Sequence, residues 1–438
     1  MANAQEITKQ DDESYRKHWP RAEKAYASAL EVMPGGNTRT QVFSPPFPVY
    51  GARGNGATLE LTDGAKVDDF LLNYTASATG HANPEILAAI EAGLAIGSPF
   101  GVPSESEAEL GAAVNERFGL DLLRYTNSGS EATLHAIRAA RAFTGRSAIA
   151  KAEGGYHGSH DQVDVSVTRF GAEVGEAIAE SKGMSPETLG TVVVFPYNDL
   201  DRALACLEPH ADRLAALIIE VVLNAGGAIP AEREYLEGLE AWCRAHDVLL
   251  IVDEVATWRL SYRGAAAAMG VKPDLICLGK ALGGGLPVGA VGGRGDIMAA
   301  FDPRGSEVLR HAGTFNGHPA VMAAGRKVLE ILTPAVVQEM SDQCDELIAG
   351  ICRIGEEQGL PITATGFGGM GRIHLSAEPP QSARASRPLP SRLKLHRALL
   401  DRGTLVGADG RFATCSETSD SQVERFLTSL SEVAADSV

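Results

Sequence analysis

Two short apolar runs, Val248 to Val252 and Leu275 to Leu278, have the length and branching of strands buried on both faces of a parallel sheet. The first runs into Asp253 and Glu254 and the second into Gly279 and Lys280. The pattern therefore delivers a carboxylate and an amine to one sheet edge, where open α/β folds place their ligands. The same rhythm starts at Leu122, where LLRYT reads as a strand, NSGSE as a tight turn and ATLHAIRAARAFTG as a helix ended by Gly145. AIAKAE, TVVVFPYND and LAALIIEVVLNAGG follow as strands, with helical stretches such as REYLEGLEAWCRAH between them. Strands alternating with helices predict a mainly parallel sheet with right-handed crossovers.

The flanks read differently. Ser14 to Val32 predicts one amphipathic helix, followed by the loops PGGNTRT and SPPFP. ATLELTDGAKVDDFLLNY predicts a hairpin turning at Asp-Gly, and a helix starts after Asn83-Pro84. After Gly325 come VLEIL, the long polar helix VVQEMSDQCDELIAGICRIGEEQG, a strand-like ITATGFGGMGRIHLS, and PPQSARASRPLPSR, which reads as a mobile loop. Two helices, LKLHRALLDRG and SDSQVERFLTSLSEVAA, close this separate α+β layer. The expected organisation is an N-terminal segment 1–75 joining a small domain, a large α/β domain 76–325 and a C-terminal small domain 326–438.

Candidate chemistry gathers at the turns. Burial disfavours a charged lysine, so Lys280 at a strand tip reads as a neutral, nucleophilic amine suited to Schiff-base chemistry. If its carbonyl partner is pyridoxal phosphate, Asp253 supplies the acid that keeps the pyridine ring protonated, and Gly283 to Gly285 let backbone approach. A nucleotide loop is excluded by spacing, since Asp274 and Ala281 stand where that pattern needs Gly and Ser or Thr. Ser128, Gly129 and Ser130 open a long helix and could bind a phosphate, or Ser128 with Glu131 could be an ordinary capping box. GGYHGSHD offers Tyr156 and His157 as stacking faces; a metal site on His157, His160 and Asp161, or a plain loop, are the other readings. Thr314, in HAGTFNGHPA, offers a hydroxyl and an N–H to a phosphate.

Charge narrows the partners. A net charge of −17 over 438 residues argues against nucleic acid or an anionic membrane, so a phosphate must be gripped locally. No apolar signal core or spanning run is present, which gives a cytoplasmic expectation. The six cysteines are scattered without close pairs, so they read as free thiols, and no zinc spacing occurs.

Taken together, NSGSEA, GGYHG, IIEVVLNAGG, VDEV, GK with GGG and PVGAVGG, and GTFNGHP occur in a familiar order and spacing. Over about residues 30 to 435 the chain resembles the class III aminotransferases of pyridoxal-phosphate fold type I, with glutamate-1-semialdehyde aminomutase a close relative. The resemblance implies a mainly parallel seven-stranded sheet in the large domain and a homodimer bound to pyridoxal 5'-phosphate. It implies that Lys280 forms the Schiff base and moves the proton, that Asp253 pairs with the ring nitrogen and that Glu220 orders the pocket. It further implies that Tyr156 and Val255 cover the two ring faces, with His157 beside Tyr156, that Ser128, Gly129 and Ser130 hold phosphate, and that Thr314 reaches the neighbouring subunit's phosphate.

PGGNTRT, Arg259-Leu260 and YTASATGH look most similar to the aminotransferases acting on β-phenylalanine, which implies Arg39 as a carboxylate clamp with Tyr74 lining the pocket. Val221, Leu223 and Asn224 depart from the family pattern, and Asp409 stands near Arg411, the candidate second arginine. The expected activity is transfer of an amino group between an amino acid, of the α, β or aromatic kind, and a 2-oxo acid. The alternatives are an aminomutase or epimerase on the same cofactor, a non-catalytic protein of this fold, and a metal hydrolase.

Overall fold

The large sheet is built from seven strands, and its order explains how distant motifs meet. In a computed structural model of the chain, which describes residues 7–386 and 390–436, strands β1 (Gly51–Asn55), β2 (Thr58–Leu61) and β3 (Lys66–Asp69) precede β4 (Leu122–Thr126). Then follow β5 (Ala148–Ala152), β6 (Val192–Phe195), β7 (Leu214–Ile219), the short pair β8 (Val222–Leu223) and β9 (Ile229–Pro230), β10 (Leu249–Asp253), β11 (Leu275–Gly279) and β12 (Gly289–Gly293). The large sheet runs β4-β12-β11-β10-β7-β5-β6. All its pairings are parallel except those of β12, which runs antiparallel to both β11 and β4. The mainly parallel seven-stranded expectation holds.

Both faces of this sheet are covered, as an apolar parallel sheet requires. Alternate residues feed two cores. Ala150, Phe195, Leu217, Leu250 and Val252 pack on one side, and Ile149, Val194, Ile218, Ile251 and Cys277 on the other. The second face takes the helix Gly129–Thr144, whose Ala132, Ala136, Ile137 and Ala140 are buried; Gly145 ends it in the left-handed conformation, as its position predicts.

A C-terminal layer holds β13 (Thr363–Phe367), β14 (Met370–His374), β15 (Thr404–Leu405) and β16 (Arg411–Ala413) against the helices Pro334–Gln358 and Asp420–Ala435. The strand-like stretch 362–376 is thus a hairpin, β13 with β14, extended by β16. The N-terminal hairpin β2–β3 turns at Asp63-Gly64 as expected, and β3 pairs in parallel with β15.

Two expectations change. The single helix over 14–32 is two, Lys9–His18 and Pro20–Leu30, because Pro20 cannot continue the first and starts the second at its N1 position. The loop read as mobile is docked over its described part: Arg384 forks onto Glu153 with two bonds of 2.7 Å, and Ala383 and Ser386 are buried. Residues 387–389 of that loop lie outside the described residues.

Candidate active site

Asp253 ends β10, and Lys280 follows β11, its parallel neighbour in the sheet. Glu254 points elsewhere and accepts the N–H groups of Ala265 and Ala266, so it caps a helical turn. Asp253 is buried; its Oδ1 accepts the Val255 N–H at 2.9 Å, and its Oδ2 lies 2.9 Å from His157 Nδ1. Burial holds the His157 imidazole below its ordinary range against the pull of that carboxylate. A neutral ring that donates through Nδ1 results, with the buried Nε2 unpartnered among the described residues. His160 is committed to Thr133 Oγ1 at 3.2 Å, and among the described residues no group of three or more His, Cys, Asp or Glu is arranged to hold a metal.

Lys280 takes φ +50, a left-handed conformation that costs a side-chain-bearing residue about 1–3 kcal/mol and persists only where its surroundings impose it. One support is the Trp258 indole N–H, which donates to the Gly279 carbonyl at 3.0 Å. Burial pushes the Lys280 ammonium below its ordinary range, while Glu220 and Asp253 pull the other way. Burial and the Asp253 charge push the Glu220 carboxyl up. Glu220 accepts the Tyr156 N–H at 3.0 Å and the Asn224 N–H at 3.4 Å, and so fixes the backbone of the candidate stacking residue.

The turn after β4 forms one arm of the expected capping box, and the return arm of Glu131 reaches Asn127, one residue before the cap. Ser128 Oγ accepts the Glu131 N–H at 3.2 Å, and Glu131 accepts the Asn127 N–H at 2.7 Å. That cap leaves the N–H groups of Gly129 and Ser130 in the first turn of a 16-residue helix, which is an anion site by geometry and dipole. A Cβ on Gly129 would fall 2.6 Å from Val255 Cγ1, and one on Gly158 would fall 2.6 Å from Ser130 Oγ. The cradle, Val255 and the Tyr156 loop therefore meet at one place. Asn127 donates to Asn316 Oδ1 at 3.0 Å, which ties the 311–318 segment to the cradle, while Thr314 is exposed on the single chain.

Across the site, Leu72 to Thr75 form a left-handed turn with φ between 48 and 74, held by Asp69, which accepts the N–H groups of Leu71 and Leu72 at 2.9 Å. The turn aims Tyr74, whose hydroxyl donates to the Gln41 carbonyl at 2.7 Å. The Arg39 guanidinium lies 5.8 Å from the Tyr74 ring centre and that of Arg411 lies 5.1 Å from it. Tyr74, Gln41, Phe170, Gly226, Asp409 and Arg411 line one cavity.

Arg372 lines the same cavity and was missed by sequence reasoning; its signal was an arginine at an interior position of the GRIH strand. Arg259 is buried and donates to the carbonyls of Gly369 and Thr414, tying the large sheet's loops to the C-terminal layer.

This geometry has counterparts. The class-III aminotransferase family pattern matches residues 40–433. A glutamate-1-semialdehyde 2,1-aminomutase of Aeropyrum pernix is 37% identical over 86% of this chain and 88% of its own. Among solved structures, an omega-transaminase from Sphaerobacter thermophilus superposes with a TM-score of 0.91 at 38% identity, covering 95% of this chain and 97% of that one. A β-phenylalanine aminotransferase from Variovorax paradoxus superposes with a TM-score of 0.89 at 32% identity, covering 97% and 96%.

Proposed function

The chain belongs to the class-III aminotransferases, enzymes that use pyridoxal phosphate, and from that premise we propose that it moves an amino group from a carboxylate-bearing amino acid to a 2-oxo acid through Lys280. The observation that carries the reading is the pair of adjacent strand tips bearing Asp253 and Lys280.

The residues fit the cofactor. The first turn at Gly129 and Ser130 suits its phosphate, and the glycines there leave room where any Cβ would meet Val255 or Ser130. Asp253, a buried carboxylate facing no cation of its own among its hydrogen-bond partners, suits a protonated ring nitrogen. Tyr156 and Val255 would cover the ring's faces. When bound, pyridoxal phosphate supplies an aldehyde carbon that takes up the amino group and a ring that draws off the electrons left by a departing proton. Lys280 would hold the aldehyde through its amine; once the substrate's amino group has taken its place there, the freed amine would carry a proton away from and back to carbon, and burial keeps it poised as a base. Glu220 holds Tyr156 in place, and Arg39 and Tyr74 receive the carboxylate.

The β-phenylalanine enzyme supports a β- or aromatic amino acid as donor. The aminomutase relative favours a second reading, in which the nitrogen stays on one molecule. Incubating the loaded enzyme with a panel of α- and β-amino acids separates the two: the transaminase changes the cofactor's absorbance and needs an oxo acid to continue, whereas turnover without an acceptor would establish the mutase.

The division into 1–75, 76–325 and 326–438 is supported by the pairing of β3 with β15, which joins the N-terminal segment to the C-terminal layer. A homodimer is supported by an exposed apolar groove with Leu94, Leu286 and Phe315 next to Asn127, a patch that a second copy would cover, with Thr314 presented beside it. Among the described residues no helix is long and apolar enough to cross a membrane, and six free cysteines support a cytoplasmic site.

A further inference from the structure

Arg372 on β14 and Arg411 on β16 are direct cross-strand partners, an arrangement of like charges that is unfavourable alone. Asp409 sits in the turn that leads from β15 into β16 and joins both arginines. Its carboxylate takes the Arg411 Nε–H and Nη2–H, the latter at 2.7 Å, and also accepts from Arg372 Nη2, while its carbonyl accepts the Arg372 Nε–H at 3.0 Å. The turn is fixed by the Gly410 N–H donating to the Gly407 carbonyl at 2.8 Å, with Gly410 at φ +88. The remaining arms are anchored too. Arg411 Nη1 donates to Asn224 Oδ1 at 3.1 Å and Arg372 Nη1 to the Ala225 carbonyl at 3.0 Å.

A guanidinium grips a carboxylate best by two parallel N–H bonds from one edge. On Arg411 the Nε and Nη2 edge is already filled by Asp409. Arg39 is different: it is exposed, and the one hydrogen bond of its guanidinium among the described residues is from Nη1 to Asn73 at 2.9 Å. The cavity that Asp409 helps to line also presents Val167, Phe170 and Tyr74, which suit an uncharged group.

We propose that Asp409 is a specificity-determining residue, an internal carboxylate seated on Arg411 that restricts this pocket to substrates with a single carboxylate, gripped at Arg39, and an uncharged remainder. The inference rests on the aminotransferase reading and narrows its substrates: monocarboxylic amino and oxo acids are accepted and dicarboxylic ones are disfavoured. A merely structural Asp409, present to neutralise the arginine pair, would affect stability and leave this choice untouched.

The test compares the cofactor-loaded parent with Asp409→Asn, which keeps the shape and one acceptor oxygen but frees the charge of Arg411. Calorimetry measures binding of butyrate and glutarate, unreactive acids that differ by one carboxylate. The parent is expected to bind butyrate at least as tightly as glutarate, and the variant to shift the preference toward glutarate by about tenfold or more, the scale of one charge-assisted hydrogen bond. The ratio of kcat/KM for 2-oxoglutarate over pyruvate should rise by a similar factor. A parent that prefers glutarate, or a variant in which both acids shift equally, overturns the proposal. If the single variant fails to fold, Arg372→Met with Asp409→Asn removes the cross-strand repulsion and carries the same comparison. Should no amino donor be processed by parent or variant, the aminotransferase reading fails, while the butyrate-to-glutarate binding ratio still decides the role of Asp409.

Discussion

His157 donates its Nδ1–H to Asp253 at 2.9 Å from within a fully enclosed pocket, so a neutral ring, not a cation, steadies the carboxylate at the tip of β10. A cation there would have satisfied Asp253 and weakened its attraction for a protonated ring nitrogen. The neutral imidazole orients the carboxylate while leaving its charge available.

His157→Leu is therefore expected to loosen the cofactor without touching Lys280, the amine proposed to bond to it. Loss of one hydrogen bond to a charged group, about 1.5–3 kcal/mol, corresponds to roughly 10–100-fold weaker retention. Dialysis against buffer, followed by the visible absorbance of the protein, measures it. His157→Asn, which can still donate to Asp253, should recover most of the loss; equal losses in both variants would remove the hydrogen bond from the explanation.

In the role proposed for Lys280, it is the neutral amine that attacks an aldehyde. Burial pulls its ammonium below the ordinary 10.5, so the neutral fraction grows as pH rises through a midpoint lower than that of a free lysine. Reconstitution of cofactor-free protein with pyridoxal phosphate should accelerate with pH and level off below 10.5. Lys280→Ala should acquire no band of covalently held cofactor and should not turn over. A rate still climbing at the pH of free lysine would contradict the burial argument.

Much of this site was legible in the chain. The two apolar runs placed Asp253 and Lys280 at one edge because strands buried on both faces have an unmistakable composition. Ser128 was readable both as a cap and as part of an anion site, and the structure shows the cap while leaving the adjacent N–H groups for an anion. What was not legible came from contacts distant in sequence. Nothing near Arg372 announces that it lies opposite Arg411, and Asp409 was visible only as a neighbour of Arg411, not as a bridge between two strands. The loop around Arg384 read as mobile because its Pro, Ser and Arg content has no periodicity; its anchor, Glu153, is 231 residues away. The break at Pro20 was overlooked because the apolar spacing continues across it.

Arg39 lies against Tyr74, which lines the cavity, and has donors to spare. Arg39→Ala should weaken carboxylate-bearing donors by about 10–100-fold in kcat/KM, the range of a charge-assisted fork, and change simple amines by much less. Steady-state rates with a β-amino acid and with its decarboxylated amine make the comparison. Equal losses on both would count against Arg39 as the clamp.

Acid should destabilise the C-terminal layer through His374. Its Nε2 lies 2.7 Å from Thr365 Oγ1, which donates to the Gly227 carbonyl, and its Nδ1 faces Arg392 Nη2 at 3.4 Å. That chain fits a neutral ring protonated at Nε2, and a second proton would point at a guanidinium. Burial, Arg372 and Arg392 accordingly hold His374 at about 3, against an ordinary 6.5. Between these values the unfolded chain binds a proton that the folded chain refuses, so stability is fully present above 6.5 and drains away as pH falls toward 3. His374→Gln keeps a donor toward Thr365 and does not titrate. At about 1.4 kcal/mol per pH unit, the stability difference between parent and variant should move by about 3 kcal/mol in the variant's favour from pH 7 to pH 4. Urea unfolding at the two pH values reads this difference directly, and a constant difference would mean that His374 accepts its second proton without penalty.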